Sequence, residues 1–175
     1  MKARWAETSW SRPLAEGVLV LTLALLALAA VVCVAAQVAN IGFPYQIDYG
    51  EAPLVDQASR LAAGESIYQP DLAVPPYTIS NYPPVYVATL AAFVPVAGEA
   101  FWPGRLVSAA AALLSAGFIG LIVWTATRDR VAAAMAGLFL LAWPIVVLWS
   151  GLARIDLLAL ALSLAGLWAL VRSPA

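Results

Sequence analysis

An almost wholly apolar stretch, Leu14–Val38, most constrains how this chain can fold. About 20 consecutive apolar residues are enough for a helix that crosses a bilayer. The apolar core of a signal peptide has only ~7–15 residues, so the length predicts an uncleaved membrane anchor. The chain as a whole is 63% hydrophobic and 11% charged, whereas soluble domains are ~25% charged. Because a short chain cannot hide so much apolar surface in one core, the sequence predicts an integral membrane protein.

The composition excludes several classes of site. The net charge of −1 offers no basic surface for nucleic acid. The chain has no His and one Cys, which excludes a Ser–His–Asp triad, a His/Cys metal site and an internal disulfide. A metal would need carboxylate ligands, with Mg²⁺ or Mn²⁺ as candidates. The single cysteine, Cys33, is expected to be a small buried hydrophobe in the first apolar stretch.

The pattern of apolar segments predicts an all-α, polytopic protein of the inner or plasma membrane. Residues 1–13 contain Lys2, Arg4 and Arg12, which favour a cytoplasmic N-terminus. Residues 39–104 are then expected to form an extracytoplasmic loop. Four membrane-spanning helices are predicted, at residues 14–38, 105–127, 131–150 and 154–171.

Two helices are predicted within the outer loop. Residues 51–63 have helical periodicity, and Gly64 is a fitting stop, so we expect a short amphipathic helix on the membrane surface. Its apolar stripe comprises Leu54, Ala58, Leu61 and Ala62. Residues 84–98 are apolar but only about 15 long, with a proline inside, which suits a re-entrant or juxtamembrane helix. If they do not cross the bilayer, six lysines and arginines lie inside and three outside; if they cross, the count is five against four. The positive-inside rule therefore favours the arrangement without a crossing.

The only long polar stretch, Pro44–Pro84, is the natural place for chemistry. The predicted topology brings its first carboxylates and the charges that flank the later spans to the outer membrane face. Charges at membrane depth are costly, and they usually face a cavity or a partner. Two to three carboxylates and two arginines at one interface suit a charged ligand such as a lipid phosphate. The residues concerned are Asp48, Glu51, Arg105, Arg154 and Asp156.

The order of several motifs resembles the N-terminal part of GT-C-fold membrane glycosyltransferases, of the protein-mannosyltransferase and aminoarabinose-transferase type (glycosyltransferase family 39-like). After an N-terminal span, the motifs are Asp48–Tyr68, Asn81–Tyr86, Gly104–Ser108 and Ala153–Leu160. The resemblance implies transfer of a sugar from a polyprenyl-phosphate donor to an acceptor hydroxyl on the extracytoplasmic side. Many relatives have adjacent Asp and Glu, whereas two residues separate them here. Relatives are also several times longer, so we expect this chain to be a fragment that is inactive by itself.

The resemblance also implies residue roles. Asp48 or Glu51 would be the catalytic base, or both could hold Mg²⁺ or Mn²⁺. Substrate binding would fall to Arg105, Arg154, Asp156 and Tyr82. Simpler interpretations remain open from the residues alone: the carboxylates could cap a helix, the arginines and Asp156 could be boundary charges, and the tyrosines could form an interfacial belt.

Two other functions are compatible with the sequence: a transporter or flippase subunit for an anionic or lipid-linked substrate, and a non-catalytic or truncated product. A transporter usually has its broken helices and charges near the bilayer midplane. Here the charges cluster at the outer face, which favours the enzyme. The expected partners are therefore a polyprenyl-phosphate-linked sugar and the lipid bilayer, and not nucleic acid.

Overall fold

The structure is a computed structural model that describes residues 11–173. Most of the predicted cytoplasmic N-terminus lies outside these residues. The described chain is all-helical and contains no β-strand, which confirms the expected all-α class. In chain order its helices are α1 Ser11–Gly42, α2 Glu51–Ala62, α3 Val85–Ala91, α4 Val94–Ala97, α5 Trp102–Thr127, α6 Arg130–Ala142, α7 Pro144–Trp149 and α8 Asp156–Arg172.

Two helices, α1 and α5, are long and apolar enough to cross a membrane, judged by length and composition. They have 32 and 26 residues, more than the ~20 that a bilayer requires. Most large apolar side chains of α1 are exposed, among them Leu14, Leu28 and Val38. These two helices give weak support for association with a membrane.

The segment 131–150, expected to be one spanning helix, is instead two helices. The helix α6 ends at Ala142, and α7 begins at Pro144. Trp143 between them is extended, with φ −69° and ψ 125°. A residue before proline is biased towards extended conformations, and proline lacks the N–H that would continue the helix. With 13 residues, α6 alone is shorter than the ~17–25 of a typical crossing helix.

The segment 84–98, expected to be one helix, is also two short helices, α3 and α4. Pro95 lies in the first turn of α4, a position that proline tolerates at a helix start but not in an interior. The helix α2 agrees closely with the expected residues 51–63, and its end has the hydrogen bonds Gly64 N–H to Leu61 O and Glu65 N–H to Arg60 O. Gly64 has φ +84°, the left-handed conformation that this type of helix end needs.

The buried face of α2 differs in part from the expected stripe. Val55 is buried and Leu54 only partly so, while Ala62 is exposed. The reason is that α2 packs against α3 rather than lying free on a surface. Their shared core consists of Ala58, Ile67, Tyr86, Val87 and Leu90.

The long helices pack so that four helix termini meet at one end, which we call the site end. It comprises the C-terminus of α1, the N-terminus of α5, the turn after α7 and the start of α8. Two contacts define it: Arg105 Nη1 donates to Asn40 O at 2.7 Å, and Ala153 N–H donates to Glu51 at 2.9 Å. Residues 43–101 begin and end there, so α2–α4 cover this end. The main core below is built of small and aliphatic residues: Ala30, Ala111, Ala112, Ala116, Leu141, Val146, Leu157 and Ala161.

Cys33 is fully buried, as expected, but its neighbours are polar. Its Sγ lies 3.6 Å from Ser150 Oγ, and Gln37 Nε2 donates to the same Oγ at 2.8 Å. This small polar cluster joins α1 to the residue that follows α7. Buried polar groups need such partners because an unpaired group would lose its hydration without compensation.

Candidate functional site

The centre of the site end is a buried ion pair between α2 and α5. Glu51 is the first residue of α2, and Arg105 lies in the first turn of α5. Arg105 Nε donates to Glu51 Oε1 and Nη2 donates to Oε2, both at 2.8 Å. Both side chains are 0% exposed. Two parallel hydrogen bonds of this kind are the strongest arrangement available to an arginine and a carboxylate.

Every remaining N–H of Arg105 is also used. Its other three donors bind backbone carbonyls, those of Asn40, Phe43 and Tyr45. A guanidinium has five N–H donors, so none is left for a ligand. Glu51 in turn accepts backbone N–H groups, those of Ile47 at 2.8 Å, Asp48 at 3.3 Å and Ala153 at 2.9 Å. The pair therefore ties the end of α1, the start of α2 and the turn before α8 to α5.

The environment of Glu51 keeps its carboxylate ionised. Burial raises the pKa of Glu51, but the hydrogen bond from Arg105 and those from the backbone N–H groups lower it by more, so the net pKa lies below its ordinary value. A carboxylate held in this form is a weaker proton acceptor than an ordinary one. Glu51 is thus suited to holding the fold together and poorly suited to acting as a base.

Asp48 occupies a different environment, three residues before Glu51. Its Oδ2 accepts the N–H of Gly50 at 3.1 Å and the Nη1 of Arg154 at 3.0 Å. The Asp48 and Arg154 side chains are 21% and 20% exposed. Arg154 Nε also donates to Asp156 Oδ2 at 3.2 Å, so one guanidinium bridges two carboxylates. This second, solvent-accessible cluster lies beside the buried pair.

Arg154 is held in place from two sides. Its guanidinium carbon lies 4.0 Å from the centroid of the Trp149 ring, a favourable cation–π distance. Its backbone is fixed by the buried hydroxyl of Ser108, which donates to Arg154 O at 2.9 Å and accepts Arg154 N–H at 3.1 Å. Burial raises the pKa of Tyr86, whose protonated hydroxyl donates to Gly104 O at 2.8 Å and lies 3.2 Å from Ser108 Oγ.

A cavity of about 160 Å³ lies beside Arg154. It is lined by α2 and the two residues before it, by Ile79 and Tyr82 of the following loop, and by the start of α8 with the residues just before it. Its polar lining residues are Tyr49, Gln57, Tyr82, Arg154 and Asp156. Gln57 is buried, and its amide donates to Ile79 O at 3.4 Å. The cavity is smaller than the ~300–1,000 Å³ of drug-sized sites, which suits a single small polar group.

The six residues predicted from the sequence thus fall into two groups. Asp48, Arg154, Asp156 and Tyr82 come together at or beside the cavity. Glu51 and Arg105 lie beneath them in the interior. Because donors occupy both oxygens of Glu51, the alternative in which Asp48 and Glu51 share Mg²⁺ or Mn²⁺ does not fit this geometry. Residues 11–173 contain no group of three or more His, Cys, Asp or Glu placed to hold a metal ion.

Sequence reasoning assigned no role in the site to Ser108, Trp149 or Gln57. Ser108 follows Arg105 by three residues and therefore shares its helix face, a signal that was present in the sequence. Gln57 is one polar residue among several on α2, and nothing local marks it as buried. Trp149 reaches Arg154 only because the chain turns back after α7, which the sequence pattern does not encode.

Comparison of the chain with protein-family models, with curated proteins and with solved structures found no match in any of the three.

Proposed function

We propose that this chain is the N-terminal part of a membrane glycosyltransferase that transfers a sugar from a polyprenyl phosphate to an acceptor hydroxyl on the extracytoplasmic side. The observation that carries the proposal is the 3.0 Å pair of Asp48 and Arg154 beside a small polar cavity. Sugar transfer from a phosphate donor needs a base for the acceptor and a cation for the departing phosphate. The pair supplies one of each, and both are partly exposed.

The proposal includes four membrane crossings, by α1, α5, α6 with α7, and α8. The number of crossings is supported by residues 43–101, which begin and end at the site end. Residues 84–98 therefore do not have to cross the membrane. The 17 residues of α8 reach the lower edge of the ~17–25 that span a bilayer. The helices α6 and α7 follow one another and together cover the distance that neither covers alone.

The orientation is supported by the distribution of charge. In this topology the side that carries the N-terminus has six lysines and arginines, and the site end has three, which are Arg60, Arg105 and Arg154. The six are Lys2, Arg4, Arg12, Arg128, Arg130 and Arg172. Lysine and arginine near the ends of spans favour the cytoplasmic side, and neighbouring carboxylates change this little. The site end is then extracytoplasmic.

In the proposed reaction, the acceptor oxygen attacks the anomeric carbon of the donor sugar. The Asp48 carboxylate takes the proton of the acceptor hydroxyl as the new C–O bond forms. The bond from the anomeric carbon to the phosphate oxygen breaks, and its electron pair stays on the phosphate. Arg154 stabilises that charge; its Nη2 has no hydrogen-bond partner among residues 11–173 and is free for a phosphate oxygen.

Two cavities near Arg154 suit the two parts of such a donor, the sugar and the isoprenoid tail. The sugar would occupy the cavity, where Gln57 and Tyr82 offer hydrogen-bonding groups. An apolar cavity of about 240 Å³ lies between the start of α3 and α8, and it shares Ile155 with the polar cavity. The isoprenoid tail would lie there, because transfer of apolar groups out of water is favourable.

The proposal is tested by assaying sugar transfer in membranes that contain the full-length protein, with a panel of labelled polyprenyl-phosphate sugars. Asp48→Asn removes the base and should lower the rate by about 10²–10⁴-fold, the usual contribution of such catalysis. Asp71→Asn is the matched control, because Asp71 is an exposed carboxylate of the same loop that accepts the N–H of Ala73 and pairs with no arginine among residues 11–173. It should keep the wild-type rate.

Wild-type transfer by Asp48→Asn would exclude Asp48 as the base. Movement of an intact lipid-linked sugar across sealed vesicles, with no transfer to any acceptor, would instead support the transporter alternative.

A further inference from the structure

A larger cavity lies between α5 and α6, away from the site end. It is an open groove of about 560 Å³ with an almost wholly apolar lining. Residues 116–124 of α5 and 130–141 of α6 contribute its walls. The groove exists because the helix faces that form its walls have small side chains. Larger side chains at these positions would fill the space between the two helices. These residues are Ala116, Gly117, Gly120, Ala133, Ala134 and Gly137.

The two helices are already in close contact beneath the groove. A Cβ on Gly137 would lie 2.7 Å from Ala116 O, and one on Gly120 would lie 3.2 Å from Ala133 O. These backbones therefore cannot approach further to close the space. Gly117 differs, because a Cβ there would meet nothing within 4 Å. The space above Gly117 is open, and no residue between 11 and 173 fills it.

One end of the groove is cationic. Arg130 lines it directly, and the Arg128 guanidinium carbon lies 5.7 Å from the ring centroid of Trp124, which also lines it. The intervening Asp129 is committed to the α6 N-terminus, where its Oδ1 accepts the N–H groups of Val131 and Ala132 at 2.8 and 3.1 Å. Neither arginine belongs to an ion pair within the part of the chain that the structure describes.

We propose that this groove binds an anionic phospholipid, with an acyl chain along the small residues and the headgroup phosphate at Arg128 and Arg130. The charge of the groove selects this occupant, because an apolar helix would bury the walls but leave two guanidinium groups without a counter-ion. Trp124 lies between the two regions, and tryptophan is enriched at the depth where headgroups meet acyl chains. The proposal rests on the membrane crossing of α5 and α6 proposed above, but not on sugar transfer.

The test uses the full-length protein in nanodiscs made of equal amounts of phosphatidylglycerol and phosphatidylcholine with the same acyl chains. Lipid that stays bound after extraction is measured by native mass spectrometry. The wild type should retain phosphatidylglycerol in preference to phosphatidylcholine. The double variant Arg128→Gln and Arg130→Gln should reduce that preference by roughly fivefold for each arginine removed, which is the usual contribution of a basic residue near an anionic membrane surface.

A second variant tests the groove itself. Gly117→Leu places a side chain in the open space and should abolish retention of the lipid. Gly166→Leu on α8 is the matched control, because Gly166 is also exposed and free of neighbours within 4 Å. It should retain lipid as the wild type does. The helical circular dichroism of all variants should be unchanged, since the substituted residues are exposed.

Unchanged lipid preference in the double arginine variant, or unchanged retention in Gly117→Leu, would overturn the proposal. So would conversion of a dimer to a monomer by Gly117→Leu, because a second copy of the chain would then be the occupant. The test of sugar transfer is independent of this one, because Asp48→Asn changes no residue that lines the groove.

Discussion

The carboxylate of Glu51 and the guanidinium of Arg105 are joined by two hydrogen bonds of 2.8 Å, inside the protein and out of contact with solvent. They bring together residues separated by 54 positions. A buried pair of this kind is often no more stabilising than two well-packed apolar residues. Its specific effect is to require that the ends of α2 and α5 meet in one register, since any other arrangement leaves two charges unpaired.

Removal of either partner should be strongly destabilising. We expect Glu51→Gln to lower the free energy of unfolding by about 3–5 kcal/mol, because Arg105 would then be a buried charge without a counter-ion. Arg105→Lys should also destabilise the protein, since an ammonium has three donors and cannot form the planar double contact. Equilibrium unfolding in detergent micelles, followed by circular dichroism, measures both changes.

Glu65→Gln is the control for that experiment. Glu65 pairs with Arg60 at 3.3 Å, but its side chain is 61% exposed. Pairs at the surface contribute only ~0–1 kcal/mol, so this variant should unfold nearly as the wild type does. An equal loss of stability in both variants would contradict the structural role assigned to Glu51.

The stability of the protein should fall in acid, and Glu51 should contribute to the fall. The folded state holds the pKa of Glu51 below its ordinary value of 4.5. The ionised group therefore contributes stability that is fully present above pH 4.5 and is lost as the pH falls through the lower, folded-state pKa. Unfolding free energies measured at a series of pH values below neutrality should show this decline.

In Glu51→Gln this contribution to the pH dependence is absent, because glutamine does not titrate. The variant should therefore lose less stability than the wild type over the same acid range. Parallel curves for the two proteins would mean that Glu51 has the same pKa in the folded and unfolded states.

Substitution by alanine should have opposite effects on stability at Gly137 and at Gly117, which both line the groove between α5 and α6. Gly137→Ala would push a methyl group to 2.7 Å from Ala116 O, and overpacking of this kind costs about 1–3 kcal/mol. Gly117→Ala meets nothing and should be neutral or stabilising by up to ~1 kcal/mol, because alanine is the better helix former. Thermal unfolding compares the stabilities of the two variants directly. A lower melting temperature for Gly117→Ala than for Gly137→Ala would refute the packing described for α5 and α6.

Ser108→Ala should destabilise the protein and also reduce the proposed sugar transfer. The hydroxyl of Ser108 binds both the N–H and the carbonyl of Arg154, and leaving buried partners unpaired costs about 1–3 kcal/mol. Loss of this anchor frees the backbone that positions the Arg154 guanidinium. Unfolding measurements and the transfer assay on the same preparation test the two effects.

Ser115→Ala is the matched control on the same helix. Ser115 is also fully buried, but its hydroxyl donates only to Ala111 O, four residues earlier in α5, at 2.8 Å. That carbonyl also accepts the helical N–H of residue 115, so little is left unpaired. A drop in transfer for Ser115→Ala as large as that for Ser108→Ala would show that any small cavity in α5 impairs activity.

Much of the fold follows from local sequence. Apolar runs with few charges predict helices, and the helical periodicity of residues 51–63 followed by Gly64 locates α2 to within a residue. The break at Trp143–Pro144 was also encoded, because proline disfavours a helical residue before it. The prediction of one continuous helix rested on the length of the apolar run 131–150 and did not take this proline into account.

The sequence by itself determined that the chain is helical, where α2 begins and ends, and that Asp48, Glu51, Arg105, Arg154 and Asp156 are the charges to consider. Only the tertiary structure decided which of them are buried. Asp48 and Glu51 lie three residues apart at one helix start, and local patterns treat them alike. Their environments diverge because Glu51 meets groups 54 and 102 residues away, Arg105 and the N–H of Ala153, whereas Asp48 meets Arg154 beside an accessible cavity. Such long-range contacts depend on how the helices pack, which no single stretch of sequence contains.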